Sequence, residues 1–288
     1  MQIQNPQRVV TGVNNTLDAM VHALQKAGDV LLTQFTNPHL RQSFKDSTTH
    51  NYESLVTQAD SESQHVIKKS ILDYFKENGI NNKEIGFIGE EDSLTEIKKH
   101  MFIIDPLDGT TNYSKGIRHF SISIANMENG SIQRGVIYEP FGKILYFAEK
   151  GKGAYKLENG KRELLQVMYV KLKDSLVSAH LNTPTVDTLF QVYQKLYPQT
   201  AGLRNEGSLV LDLCALADNQ YGVVINGGTS IWDLAAGKII LEESGGVLVD
   251  WEGKPIIYDS QNPRHLYQCI ACHPDNLQSI LTIFSENN

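Results

Sequence analysis

The chain has 288 residues, of which 41% are hydrophobic and 20% charged, and its formal net charge is −7. This composition suits a globular protein with one large domain or two ordinary ones. The sequence contains no apolar stretch long enough to span a membrane, no Lys/Arg run of the kind that binds nucleic acid, and no signal-peptide pattern. We therefore expect a cytoplasmic protein without membrane or nucleic-acid partners.

Two amphipathic helices are predicted first, because apolar residues recur at helical spacing from Leu17 to Leu31 and from Val66 to Phe75. The polar segment between them, Asn37 to Glu53, is predicted to be a mobile loop. A short strand follows at Ile85 to Ile88 and leads to Glu90. We expect the apolar faces of both helices to pack on the core.

The most informative segment follows the apolar run Met101 to Ile104, which predicts a buried strand. Pro106 cannot donate to a sheet ladder, so we expect the strand to end there. Its end carries two carboxylates, Asp105 and Asp108, followed by a Gly-Thr pair whose backbone amides can hold an anion. The segment predicts adjacent metal and phosphate sites, with an ordinary Pro-x-Asp-Gly turn as the alternative.

Three antiparallel strands are predicted next, because apolar residues alternate with small or polar ones. They lie at 119–127, 132–138 and 144–148. Gly151-Lys152-Gly153 is interpreted as a domain junction. We therefore predict an N-terminal α+β part, 1–150, that binds metal and phosphate, and a C-terminal α/β part, 151–288, that completes the active site.

The second half alternates helices with strands, which indicates α/β layering. Helices are predicted at 186–196, 209–217 and 232–243, with a last one opened by Pro274. Strands are predicted at 221–225, 246–250 and 267–272, and a turn at 226–229. Ser208 is expected to cap the second of these helices.

Cys269 and Cys272, followed by His273, match the pattern for covalent haem attachment. Such attachment normally requires export, and a zinc site would need a second cysteine pair. Small apolar cysteines packed in a core strand are therefore the favoured interpretation.

Four carboxylates lie at the ends of predicted elements: Glu90, Asp105, Asp108 and Asp233. Taken singly, Glu90 is compatible with a solvated turn and Asp233 with a helix N-cap. If they converge, they need cations, and an all-oxygen ligand set favours Mg²⁺ or Mn²⁺. Two such ions would clamp a phosphate and lower the pKa of a bound water.

Neighbouring groups would complete such a site. The Leu107 carbonyl could add an oxygen ligand, and the amides of Gly109 and Thr110 could hold phosphate oxygens. The attacking water needs a hydroxyl–carboxylate pair to orient it, and Thr110 with Asp60 or Glu90 are the candidates.

Three segments together resemble the signatures of the inositol monophosphatase family: Gly89-Glu90-Glu91, Asp105 to Asn112, and Trp232 to Gly237. Weaker similarity covers most of the chain beyond its first dozen residues. The family consists of Mg²⁺-dependent, lithium-sensitive phosphatases. The resemblance implies an α/β fold, the layered αβαβα sugar-phosphatase sandwich, and a homodimer.

The resemblance also implies roles for individual residues. One Mg²⁺ would be bound by Glu90, Asp105 and the Leu107 carbonyl, and a second by Asp105, Asp108 and Asp233. A third ion would be held more weakly, through water, with the help of Glu90. The catalytic residues would be Glu90, Thr110 and Asp60. Substrate would contact Leu107, Asp108, Gly109, Thr110, Gly207, Ser208, Asn226 and Asp233, beneath the polar loop near Lys45.

Two positions depart from the inositol-type pattern. Asn226 stands seven residues before Asp233, where many inositol-hydrolysing members carry Glu, and Ser230 replaces a frequent His. Inositol monophosphate remains the first expected substrate, with fructose 1,6-bisphosphate, NADP and 3′-phosphoadenosine 5′-phosphate as alternatives. Thr111-Asn112-Tyr113 disfavours the bisphosphate-nucleotidase branch. The non-enzyme alternative is a catalytically silent regulatory homologue.

Overall fold

A computed structural model describes residues 16–37, 58–90, 96–181, 185–259, 262 and 264–285. The helices are α1 (Thr16–Phe35), α2 (Gln58–Glu77), α3 (Thr110–Lys115), α4 (Val186–Leu196), α5 (Leu209–Ala217), α6 (Ile231–Glu243) and α7 (Pro274–Ser285). The first-half strands are β1 (Ile85–Gly89), β2 (His100–Asp108), β3 (Ser121–Glu128), β4 (Ser131–Glu139), β5 (Ile144–Glu149), β6 (Ala154–Glu158) and β7 (Lys161–Leu164). The second-half strands are β8 (Leu176–His180), β9 (Gly202–Arg204), β10 (Val223–Thr229), β11 (Val247–Val249) and β12 (Tyr267–Cys272).

The first sheet contains β1 to β7 in chain order. Strands β1 and β2 are parallel, and each later neighbouring pair is antiparallel, as predicted for β3 to β5. Helices α1 and α2 cover one face, where Leu24 and Ile67 pack with Phe102 and other apolar residues. Apolar residues at helical spacing therefore form one continuous core with one face of this sheet.

The second sheet has the order β11-β12-β10-β8-β9. Helices α4 and α7 cover its outer face, where Leu189 and Ile280 pack with Val223 and Ile270. Helices α5 and α6 lie between the two sheets, in a cluster that joins Ile103 of β2 to Ala271 of β12. The layers are α/β/α/β/α, which confirms the predicted sandwich.

Several predicted elements agree closely with the structure, among them α4, α5 and β12. The sequence patterns missed the β6–β7 hairpin and the strands β8 and β9. The first sheet runs on through Leu164, past the junction placed at Gly151. The division into 1–150 and 151–288 stays a proposal. The predicted loop at 37–53 lies outside the described residues, except for Asn37.

The expectation that β2 ends at Pro106 is wrong. Asp105 pairs with Ser123 and Asp108 with Ser121, so β2 has one residue more than its partner β3 between these pairs. A β-bulge of this kind leaves an unpaired position in the ladder, where proline is tolerated. The bulge carries the strand through to Asp108 and delivers both carboxylates from one element.

The turn predicted at 226–229 is also wrong, because β10 continues to Thr229 with a register irregularity after Asn226. Glycine at position 227 lets this part of β10 pack closely against Thr185, since a Cβ at Gly227 would lie 2.2 Å from the Thr185 hydroxyl oxygen. The backbone therefore runs from the sheet directly into α6, which starts at Ile231.

The cysteines behave as core residues. Cys214, Cys269 and Cys272 are free and buried, and burial raises the pKa of the Cys269 thiol to about 12. A thiol with so high a pKa is a poor metal ligand or nucleophile. Among the described helices, none combines the length and apolar character that crossing a membrane requires.

Candidate metal and phosphate site

The predicted carboxylates meet at one edge of the first sheet. Because β1 and β2 are parallel and Gly89 pairs with Ile104, Glu90 just past the end of β1 and Asp105 within β2 are the next residues along two neighbouring strands. One carboxylate oxygen from each of Asp105, Asp108 and Asp233 lies within 4.8 Å of the others. Residues separated by more than a hundred positions are thus brought into one cluster.

Asp233 is positioned by the first turn of α6. Ser230 is the N-cap, and its backbone N–H donates to the Asp233 carboxylate at 3.0 Å in a capping box. The Thr229 hydroxyl donates to the same oxygen. The interpretation of Asp233 as the N-cap itself is wrong, because it occupies the third helical position and also joins the carboxylate cluster.

Asp108 is held from the second half of the chain. Its Oδ2 accepts hydrogen bonds from the Ser208 hydroxyl and, at 3.0 Å, from the Val210 backbone N–H. Ser208 also caps α5, as predicted, by accepting from the Leu211 backbone N–H at 3.3 Å. The start of α5 therefore fixes the orientation of a carboxylate carried by β2.

The electrostatics of the cluster call for cations. Burial, followed by the charges of Asp233, Asp108 and Glu90, raises the pKa of Asp105 well above its usual range. Burial and then Asp233 raise the pKa of Asp108 to about 7. Two like charges 4 Å apart repel by about 4 kcal/mol at an effective dielectric of 20. The all-oxygen donor set fits Mg²⁺ or Mn²⁺, whose charge would relieve this repulsion.

The turn after β2, where an anion site is predicted, is built on Gly109. Gly109 is the N-cap of α3 and has a φ of 87°, a left-handed conformation that favours glycine. A Cβ at this position would lie 3.0 Å from the His119 carbonyl oxygen. Asn112 secures the turn by donating to the carbonyls of His119 at 2.8 Å and Glu206 at 2.7 Å. The left-handed φ and this close packing together favour glycine at the start of α3.

Thr110 and Asp60 are brought together, with a long contact. The Thr110 hydroxyl lies 3.5 Å from Asp60 Oδ1 and 3.0 Å from the Leu107 carbonyl oxygen. A hydroxyl has one proton, so these two acceptors compete for it. Asp60 is only 2% exposed and belongs to the first turn of α2, where a negative charge is favourable.

The predicted substrate residues of the second half occupy different environments. Gly207 is exposed and has a φ of 81°, and its carbonyl approaches Gly109. Ser208 is fully buried behind Asp108. Asn226 is buried on β10, where its Oδ1 accepts from the Gly228 backbone N–H at 2.7 Å. Gly207 and Ser208 border the cluster, whereas Asn226 belongs to the end of the second sheet.

Sequence reasoning missed a polar group next to this site. His180 Nε2 lies 2.6 Å from Oδ2 of Asp212, a residue that is only 1% exposed. The Ser178 hydroxyl donates to the same oxygen. One signal was available, because Asp212 interrupts an otherwise apolar helix, and buried aspartates require partners. His180 gave none, since β8 was not predicted.

Comparisons with known proteins agree with this geometry. The model of the inositol monophosphatase family matches residues 13–286. The Nus factor SuhB of Vibrio cholerae is 30% identical over 275 residues, covering 94% of this chain and 96% of that protein. The inositol-1-monophosphatase of Mesorhizobium japonicum is 32% identical, covering 85% and 88%. A solved structure of an IMPase from Thermotoga maritima has a TM-score of 0.78 at 26% identity, covering 94% and 97%.

Proposed function

Because the chain belongs to the inositol monophosphatase family, we propose that it is a Mg²⁺-dependent phosphatase that hydrolyses a phosphate monoester of a small alcohol or sugar. The observation that supports this most strongly is the convergence of Asp105, Asp108 and Asp233 beside the turn at Gly109. A set of buried and half-buried carboxylates next to a predicted anion-binding turn suits a reaction that joins cations to a phosphate.

The metal ligands follow from this arrangement. Asp105, Glu90 and the Leu107 carbonyl would hold one ion, while Asp108 and Asp233 would share a second with Asp105. Glu90 lies near enough for its charge to raise the pKa of Asp105. Bound Mg²⁺ would neutralise phosphate charge and lower the pKa of a coordinated water. Two or three ions are compatible with these ligands, and Mn²⁺ could replace Mg²⁺.

The protein groups act on the phosphate and the attacking water. Backbone N–H groups of Gly109 and Thr110 bind phosphate oxygens. The Thr110 hydroxyl would donate its hydrogen bond to Asp60 once a metal ion occupies the Leu107 carbonyl, the nearer of its two acceptors, which leaves an oxygen lone pair to accept a hydrogen bond from the water. Glu90 removes the proton of that water as the new P–O bond forms and the ester P–O bond breaks, and the departing alkoxide takes a proton from a second water molecule. Orientation and proton transfer of this kind contribute about 10²- to 10⁴-fold in rate.

Inositol monophosphate is the first substrate to test, and fructose 1,6-bisphosphate, NADP and 3′-phosphoadenosine 5′-phosphate are the alternatives. Purified full-length protein should release phosphate from at least one of them with Mg²⁺, and lithium should suppress the release. Mg²⁺ should also raise the melting temperature, because its binding adds about 2.7 kcal/mol to the free energy of unfolding when the ion is at a hundredfold excess over its Kd. Hydrolysis in the absence of added metal would contradict the proposal. Failure to hydrolyse any of these esters in the presence of Mg²⁺ would contradict it as well.

A regulatory protein without catalysis is the second candidate. It is supported by relatives whose name, Nus factor SuhB, is not that of an enzyme. The same assay separates the two functions, since this candidate requires Mg²⁺ to bind without turnover of any ester. We also propose a homodimer, as the family resemblance implies, located in the cytoplasm, as the sequence pattern favours; light scattering on the purified protein would measure its mass.

A further inference from the structure

Three side chains of the kind that bind metal ions lie together outside the carboxylate cluster. His119, Glu206 and Asp212 each offer one ligand atom, and these three atoms lie within 4.8 Å of one another. His119 lies between α3 and β3, Glu206 between β9 and α5, and Asp212 within α5. The fold thus gathers a ring nitrogen and two carboxylates that have no part in the proposed Mg²⁺ site.

Asp212 is the buried member of this group, and only one of its oxygens is used within the protein. Its Oδ2 accepts from the Ser178 hydroxyl and contacts His180 Nε2 at 2.6 Å. Its Oδ1 is buried and has no hydrogen-bond partner among the described residues. A buried carboxylate oxygen without a partner is destabilising, so a ligand at Oδ1 would be favourable. Carboxylates that bind metal ions are commonly held through outer contacts of this kind.

His119 supplies the nitrogen. Its Nε2 is also buried without a hydrogen-bond partner in the described part of the chain. Oε2 of Glu206 lies 3.7 Å from this nitrogen, which is too far for a hydrogen bond. Two ligand atoms bound to one Zn²⁺ ion at a tetrahedral angle are about 3.4 Å apart. The spacing of this pair is therefore closer to that of two ligands of one ion than to that of a hydrogen-bonded pair.

The backbone that carries these side chains is fixed. The Asn112 side-chain amide donates to the carbonyls of both His119 and Glu206, at 2.8 and 2.7 Å. The Asp212 backbone N–H donates to the Ser208 carbonyl at 3.1 Å in the first turn of α5. The Glu206 side chain is 46% exposed, so it can rotate onto an ion that enters from solvent. Two ligands are thus preorganised, and the third can close the site.

A cation satisfies all three groups at once, because carboxylate oxygens and an unprotonated imidazole nitrogen are acceptors. Mg²⁺ prefers oxygen ligands, whereas imidazole combined with carboxylates suits Zn²⁺ and related transition-metal ions. We propose that His119, Glu206 and Asp212 form a second metal site that binds a Zn²⁺-type ion and leaves a fourth position to water. The site goes beyond the proposed phosphatase function and does not depend on it.

The test is a titration of the full-length protein with ZnCl₂. The protein is first freed of metal with EDTA and dialysed, and Mg²⁺ is then added in large excess so that the carboxylate cluster is occupied. Calorimetry should show one Zn²⁺ bound per chain. The melting temperature should rise as well, because the ion stabilises the folded state and ties the loop before β3 to α5.

Variants remove the ligands one at a time. His119→Gln and Asp212→Asn should each raise the Kd for Zn²⁺ by more than about 100-fold, since the loss of an outer partner alone costs about 10- to 100-fold. Ser178→Ala removes such an outer partner and should raise it by about tenfold. The matched control is His273→Gln. His273 Nδ1 lies 3.8 Å from an Asp275 carboxylate oxygen, and the described residues place no third ligand with this pair. The control should leave the Kd unchanged.

Asp105→Asn, in the proposed Mg²⁺ site, separates the two sites and should leave Zn²⁺ binding unchanged. If no Zn²⁺ binds in the presence of Mg²⁺, or if His119→Gln binds it as the wild type does, the second site is wrong. Loss of Zn²⁺ binding in Asp105→Asn alone would place the ion in the carboxylate cluster and overturn the proposal. Should Asp212→Asn fail to fold, the half-buried His119→Gln still decides the question. Ester hydrolysis is not measured, so a failure of the phosphatase proposal would leave this result unaffected.

Discussion

The two sides of the site are built on different principles. The reaction side, residues 90 and 105–110 with Asp233, gathers carboxylates whose pKa values are raised by burial and mutual repulsion. The side proposed to face the alcohol part of the substrate, the alcohol side, is formed by Ser178, His180, Asp212 and Asn226. Ser178 and His180 both contact Oδ2 of Asp212, and Asn226 accepts from the Gly228 backbone N–H, while Oδ1 of Asp212 is buried without a hydrogen-bond partner among the described residues. The first side calls for cations to offset its charge, whereas the second makes most of its polar contacts within the protein. We expect changes on the first side to affect every substrate and changes on the second to affect substrates unequally.

The sharpest test of this difference is Asp108→Asn, whose effect on rate should be the largest. Loss of a carboxylate from the proposed metal site should lower kcat/KM by at least about 10³-fold for all esters, as for removal of one strong transition-state contact. In the metal-free protein the same change should raise the melting temperature, because it removes a buried carboxyl that is strained when ionised.

The effect of Asp108→Asn on stability should depend on pH, and the pKa of Asp108 sets its direction. The folded pKa of Asp108 is about 7, above the ordinary 3.8 of an exposed carboxyl, so the folded state holds more protons than the unfolded one between these values. The native carboxyl therefore becomes increasingly destabilising as pH rises from about 4 to 7, and the stabilisation by Asp108→Asn should be larger at pH 8 than at pH 4. Melting curves in EDTA measure it. Asp275→Asn, at an exposed carboxylate, is the control, and equal shifts in both variants would contradict the account.

Thr110→Ala should have the next largest effect. Without the hydroxyl that contacts Asp60 and the Leu107 carbonyl, kcat should fall by about 10²-fold, while KM changes little. Thr110→Ser keeps the hydroxyl and should retain most of the rate. The factor should be the same for inositol monophosphate and fructose 1,6-bisphosphate. A Thr110→Ala variant that loses activity on only one of these esters would break the division between the two sides.

Gly109→Ala tests the turn at the predicted anion site. Its expected effect, a modest loss of stability, is the smallest of the effects predicted for these variants. A left-handed residue other than glycine costs about 1–2 kcal/mol, and here the methyl group also meets the His119 carbonyl oxygen at 3.0 Å. Gly130→Ala is the matched control, because its φ is 77° and nothing lies within 4 Å of its Cβ position. Urea unfolding should show a greater loss for Gly109→Ala. Equal losses would mean that the turn yields to the added methyl group.

Part of the reaction side was predictable from local sequence, because three of its residues are close together in the chain, whereas Asp233 joins them from 128 residues beyond Asp105. Asp105, Asp108 and Gly109 lie within five consecutive positions, whereas the parallel pairing of β1 with β2, which brings Glu90 beside Asp105, was not predicted. The error at Pro106 came from local reasoning, since a β-bulge depends on the partner strand as well as on the proline. The position of Asp233 at the third residue of α6 could likewise not be assigned from sequence, because it depends on Ser230 being the N-cap of that helix.

The alcohol side could not be predicted in the same way. His180 and Asp212 are 32 residues apart, and their contact requires β8 and α5 to be adjacent. Strand β8 has only five residues, with a buried serine in its centre, so alternation gave no clear signal. Asn226 was identified as a substrate residue from its spacing to Asp233. Its hydrogen bonding, however, depends on a contact that the sequence does not reveal, in which the Gly228 N–H donates to its Oδ1. Tertiary pairing, rather than local propensity, decides these features.

The two tryptophans of the chain happen to lie on opposite sides of this division. Trp232 is buried directly before Asp233, and its carbonyl accepts from the Ser123 hydroxyl at 3.3 Å. Trp251 donates its indole N–H to the Asn226 carbonyl. The protein thus carries two intrinsic fluorophores, one beside the proposed metal ligands and one at the end of the second sheet beside Asn226. Single-tryptophan versions would separate the optical signal of cation binding from that of changes at the second sheet within one molecule.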